Sequence, residues 1–181
     1  MLLFFPPLIC CVVLEEMRKI HVKTAKQYAD LFWPEFVVVD DCVFLKLEWD
    51  INSHLYDPQF PTQSESDMSH THILDLVRHG GEIEEEPCFD EKHPDFAIGC
   101  QLGRMICRMW TAKLLLDFPQ HDFRIYFHGF DPIVRFHKAR KGERNWIEDH
   151  ECREDLDAGT VMILDTRNLR QAQQQVRADA S

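Results

Sequence analysis

The stretch that most limits what this chain can fold into runs from Asp95 to Lys138: an apolar helix pattern, a short break, and two strand patterns. Phe96, Cys100, Gly103, Cys107, Trp110 and Leu114 recur at alternating steps of four and three, which lines one side of a helix over residues 95–117. Ile98, Leu102, Met105, Met109, Ala112 and Leu116 make a second apolar stripe beside it, leaving Gln101, Arg104, Arg108 and Thr111 as a narrow polar strip. A helix apolar over more than half its circumference is expected to be largely buried. Gly99 and Gly103 cost helix propensity, and the expected compensation is close approach of another backbone.

After Pro119, residues 123–128 and 133–138 read as strands joined by Gly129-Phe130-Asp131-Pro132. Closing that hairpin sets His128 opposite Ile133, Tyr126 opposite Arg135 and Arg124 opposite His137 on one side. Ile125 with Phe136 and Phe127 with Val134 fall on the other, which should lie on the long helix.

The rest of the chain is consistent with one α+β domain, a mainly antiparallel sheet packed on this central helix. Alternation in Ile20-His21-Val22-Lys23 suits a short strand, and Thr24 with Gln27 matches a capping box for a helix that stops before Pro34. Residues 36–40 and 42–49 read as a hairpin turned at Asp40-Asp41, with Val43, Leu45, Leu47 and Trp49 on one face. Pro58 and Pro61 predict an irregular loop over 50–69, and residues 70–79 a short helix capped by Ser69. Residues 139–145 form a basic loop, 146–156 a short acidic helix ended by Gly159, and 160–166 the last strand. The domain is expected to span 17–166, with 167–181 as a fraying tail helix.

The apolar run in residues 1–16 is too short for a membrane span and is broken by Pro6-Pro7, and it lacks a basic n-region. It reads as an N-terminal extension, either an arm packed on the body or a start-site artefact. Seven cysteines, an odd number with no C-x-x-C pair, predict reduced thiols and a cytoplasmic protein.

Charge gives the functional lead. Between Arg124 and Arg144 six Arg/Lys stand against two acids, a local +4 in a chain of net −11, so the remainder sums to −15. The acidic whole argues against nucleic acid and anionic membrane as partners, while leaving room for a local anion site. Arg124, Tyr126, His128, Arg135 and His137 are the candidate ligand-binding residues, with Lys138, Arg140, Lys141 and Arg144 following. Two guanidinium groups on one sheet face suit a phosphate or carboxylate. An imidazole between cations has its pKa lowered and is left neutral, able to serve as a base. The opposing reading is an ordinary sheet face covered by the acids of residues 148–155, with Tyr126 stacked on Arg135.

His70-Thr71-His72, near Asp67 and Asp75, has residue types found at zinc, but no second ligand pair completes a site, so no metal is expected. Leu76-Val77-Arg78-His79-Gly80 resembles the R-H-G motif of the histidine phosphatase family, whose His accepts the phosphoryl group. Ile125-Tyr126-Phe127-His128-Gly129 is similar to that family's later strand ending in H-G. The resemblance implies a nucleophilic histidine at His79. The first string is not N-terminal and the chain between the two is too short for that family's sheet, so His79 reads more simply as a histidine at a helix C-terminus. P-loop, dinucleotide-binding, G-x-S-x-G and zinc-finger patterns are absent, and no cofactor is expected.

Two functions follow as expectations. The first is a binding or regulatory domain whose cationic hairpin face engages an anionic small molecule or an acidic protein surface. The alternative is a phosphoester hydrolase with His128 or His137 as base, Arg124 and Arg135 as clamp, and residues 50–69 over the site.

Overall fold

In a computed structural model of the chain, residues 22–74, 91–92 and 94–179 are described. The expected N-terminal extension, Ile20 and His21, and the string Leu76 to Gly80 lie outside them. The elements are α1 (Val22–Phe32), β1 (Phe36–Val39), β2 (Cys42–Leu45), α2 (Lys46–Asn52), α3 (Pro61–Met68) and β3 (His70–His72). Then follow α4 (Pro94–Asp117), β4 (Phe123–His128), β5 (Ile133–Lys138), α5 (Arg153–Ala158), β6 (Val161–Asp165) and α6 (Thr166–Asp179). They make an α+β fold with a two-stranded sheet, β1-β2, and a four-stranded antiparallel sheet ordered β3-β5-β4-β6.

The β4–β5 register is the one the sequence predicts, including Tyr126 opposite Arg135 and Arg124 opposite His137. Its apolar side lies on α4: Phe123, Ile125, Phe127, Val134 and Phe136 pack with Ile106, Cys107, Trp110 and Leu114 in one buried cluster. Burying each of the larger side chains contributes about 1.5–3 kcal/mol. Trp110 is fixed further by its indole N–H, which donates to the Leu31 carbonyl of α1 at 2.8 Å. Only the first apolar stripe of α4 is buried this way, and much of the second is open to solvent. The space left by Gly103 takes the Phe127 ring and that left by Gly99 takes Leu74, so side chains rather than backbone make the close approach.

Several local expectations are corrected. Val22 and Lys23 belong to α1 rather than to a strand. The strand after the Asp40-Asp41 turn stops at Leu45, and Lys46 to Asn52 coil into α2, with Lys46 paired to Asp50 one turn on. Both turn residues have left-handed φ, 47° and 70°, which a two-residue hairpin turn requires and Asp tolerates. β2 is buried on both faces: Val43 and Leu45 join the main core, while Cys42 and Phe44 pack with Met68, Trp49 and Tyr56. Pro61 does not exclude regular structure but starts α3, where its missing N–H costs nothing.

α3 carries the main polar tie of the interior. The fully buried carboxylate of Glu65 accepts the backbone N–H of Val43 at 2.7 Å and of Lys138 at 2.8 Å, and receives both Nη atoms of Arg140. One side chain thereby joins β2, the end of β5 and the loop after it.

Candidate functional site

The side of the larger sheet away from α4 collects the candidate residues in cross-strand rows. The first row is His72, Ile133, His128 and Val161; the second is His70, Arg135, Tyr126 and Ile163; the third is His137, Arg124 and Asp165. His70 and His72, which the sequence pattern places at the start of a helix, lie instead on strand β3 and so join this face. As a strand, it turns both rings to this side, where they meet edge to face at 5.2 Å.

The face is covered. Residues 146–152 form no helix; they cross the sheet as an irregular strap, and only Arg153 to Ala158 coil, ended by Gly159 at φ 74°. Trp146 is the centre of the cover. Its ring meets Tyr126 edge to face at 5.3 Å, the Arg135 guanidinium stacks 3.8 Å from its centroid, and its backbone N–H donates to His137 Nε2 at 3.3 Å. Arg124 is paired with Asp149 of the same strap. Asn145 braces the strap by donating from its backbone and its side chain to Glu148, which holds that carboxyl below its usual range.

Each candidate has a distinct state. His137 is 1% exposed. It lies 3.0 Å from the Lys138 carbonyl through Nδ1, which must be protonated to donate there, so Nε2 accepts the Tyr126 hydroxyl at 2.9 Å. Burial, aided by Arg124 and Arg140, lowers its pKa to about 4 and leaves the ring neutral. Burial pushes the Tyr126 hydroxyl up. Arg135 donates to the Ser66 carbonyl at 3.2 Å, and the Asp67 carboxylate lies 3.8 Å away. The Nε atoms of Arg124 and Arg135 are buried without a hydrogen-bond partner. Burial lowers the pKa of Arg135. His128 stands apart, half-buried in the outer row beside the Phe130 ring at 5.4 Å. The following cations are largely matched internally: Lys138 with Asp41, Arg140 with Glu65, and Arg144 with Glu151.

Beside the cover opens a cleft of about 370 Å³, lined by Phe60, Thr62 and Ser66 from the start and body of α3 and by Arg144, Asn145 and Trp146 from the loop after β5. Two of the lining residues are tied to each other, Thr62 donating to Glu143 at 2.5 Å. Arg135 does not line the cleft itself but touches two residues that do, Ser66 and Trp146. The structure thus brings Arg124, Tyr126, Arg135 and His137 together under one strap and leaves His128 outside it. The sequence pattern offers Trp146 only as the start of a helix, its one signal for this role being an aromatic that follows a polar loop. Among the described residues no three His, Cys, Asp or Glu side chains gather as a metal-binding set.

No family model matches the chain, and comparison with curated proteins and with solved structures returns no match.

Proposed function

We propose that this chain is a binding or regulatory domain that engages an anionic small molecule or an acidic protein surface at the cationic side of β4–β5, entered through the cleft beside Trp146. The observation that carries the reading is the state of Arg135. Its guanidinium is taken largely out of water onto an aromatic ring, with Nε unpaired and the nearest carboxylate at 3.8 Å. A buried cation so incompletely matched is costly, and an anionic group in the adjacent cleft would supply the missing charge. Arg144 and Asn145 on the rim suit the same ligand.

A hydrolase using His128 or His137 is less well supported. The Nε2 lone pair of His137 is already occupied by Tyr126, and His128 lies outside the strap that gathers both arginines. The free thiols of Cys42, Cys100, Cys107 and Cys152 support a reducing compartment, and we propose the cytoplasm. No helix among the described residues is long and apolar enough to cross a membrane.

A thermal-shift panel of phosphorylated, sulfated and carboxylated compounds, with an oligoglutamate peptide, tests the reading. At a hundredfold excess over Kd a true ligand should raise Tm by about 5–10 °C. Arg135→Gln should abolish that shift, and Arg144→Ala, on the exposed rim, should weaken it without altering the fold. A response from the peptide alone would select the protein-surface form; no response from any probe, or responses unchanged in both variants, would reject the proposal.

A further inference from the structure

On the side away from the candidate site, α4 carries a second apolar stripe of which Leu102 reaches the core cluster while Ile98, Met105 and Leu116 stay open to solvent. Its second stripe, Ile98, Leu102, Met105, Met109, Ala112 and Leu116, advances by four, three, four, three and four residues. That is the a/d spacing of a helix made to lie along another helix, a narrower line than the broad apolar face of a core helix. Ile98 is 51% exposed, Met105 49% and Leu116 68%; Ala112 is exposed, and Leu102 and Met109 are half-buried. The line runs roughly 27 Å at about 1.5 Å per residue.

Charge around this line selects the partner. From Phe96 to Leu116 the helix contains Arg104, Arg108 and Lys113 and no acid, within a chain of net −11. With Leu102, Met109 and Leu116 at a positions, Gln101 and exposed Arg108 fall at g and Lys113 at e, the positions that set partner choice by charge. Arg104 is turned away, donating to the Gly159 carbonyl and lying over the Phe127 ring, and Lys113 is held by Asp117. Arg108 is therefore the cation standing at the seam. A second copy of this chain would bring like charges together there, whereas an acidic flank would be matched. Two methionines at the middle of the line add adaptable contact area.

We propose that the outer side of α4 is a docking seam for one amphipathic helix of a partner protein, apolar at its a and d positions and acidic at the flanking ones. This rests on surface remote from the cleft and is independent of the anion site.

The probe is a labelled helical peptide with Leu at a and d and Glu at e and g, titrated against the full chain by fluorescence anisotropy. Saturable binding is expected, weakened about tenfold or more by Met105→Glu and about threefold by Arg108→Glu, two surface changes whose folding is checked by thermal unfolding. A matching peptide with Lys at e and g should bind at least about tenfold more weakly. Failure of the Glu peptide to bind wild type, or equal binding by both variants, overturns the proposal. So does a dimer of this chain that Met105→Glu dissolves, which would assign the seam to a second copy. Binding to phosphatidylserine vesicles that Met105→Glu abolishes, without peptide binding, would assign it to a membrane surface and equally overturn it.

Discussion

Tyr126 donates its phenolic hydrogen to Nε2 of His137 across 2.9 Å, beneath the ring of Trp146. With the opposite ring nitrogen donating to the Lys138 carbonyl, the imidazole has both nitrogens engaged and no room for a second proton without breaking a bond. Two residues that the sequence marks as candidate ligand groups therefore serve each other in the folded chain.

The pair makes stability depend on pH. His137 has a pKa of about 4 in the fold against 6.5 as its ordinary value, so the unfolded chain binds a proton that the folded chain refuses. The stability this contributes is fully present above about pH 6.5 and falls as pH drops toward 4, by roughly 3 kcal/mol in total. Urea unfolding near pH 7 and near pH 5 measures it. His137→Gln should be less stable at neutral pH yet show a shallower decline, and identical slopes for the two proteins would refute the account.

Trp146→Ala removes the cover. Loss of its contacts with Tyr126 and Arg135 should destabilise by about 2–4 kcal/mol. Water reaching His137 should also raise the pH at which that ring titrates, visible in its imidazole proton shifts. A variant with the His137 titration of wild type would mean that Trp146 is not what seals the face.

Glu65→Ala strips partners from two backbone N–H groups and from the Arg140 guanidinium at once. An expected cost of about 3–5 kcal/mol should appear as a lower urea midpoint. Glu65→Leu combined with Arg140→Met should lose less than the sum of the single changes, because it leaves no buried charge unmatched. Simple additivity would argue against a coupled pair.

Gly103→Ala and Gly99→Ala should part company although both improve helix propensity by about 1 kcal/mol. At Gly103 the new methyl would come within 2.7 Å of Phe127 Cδ2, on a ring locked in the core, so a net loss of about 1–2 kcal/mol is expected. At Gly99 it would meet the far end of buried Leu74 at 2.6 Å, a single aliphatic branch that needs less displacement than a ring, so a smaller loss is expected than at Gly103. Denaturation midpoints in the reverse order would contradict the packing described.

The parts of the fold legible in the sequence were those where pattern and burial coincide. The β4–β5 register follows from alternation, because one side of that hairpin lies on α4 and a slip by one residue would invert it. The buried stripe of α4 was equally plain. β3 was not: His70-Thr71-His72 has no apolar signal, and its ladder partner is β5, far along the chain. α3 was hidden because Pro61 reads as a breaker unless its place at the first helical position is known. The change from strand to helix at Lys46 lay inside an alternation that also fits a helix start. At the candidate site the cationic residues were visible, but the strap across them was not, since residues 146–152 run on into the acidic stretch before Gly159 and read with it as one short helix, whereas only Arg153 to Ala158 coil.

Glu65 has a consequence for time as well as for stability. It reaches Val43, 22 residues before it, and Lys138, 73 residues after it, so the tie cannot close until two separately formed hairpins have come together. Contacts of such sequence separation must overcome loop-closure entropy before they stabilise anything, so this one is expected to form late. Their loss falls mainly on the rate of leaving that state rather than on the rate of reaching it. The carboxylate is therefore expected to act as a latch, with Glu65→Ala shortening the life of the folded molecule by a larger factor than it slows refolding.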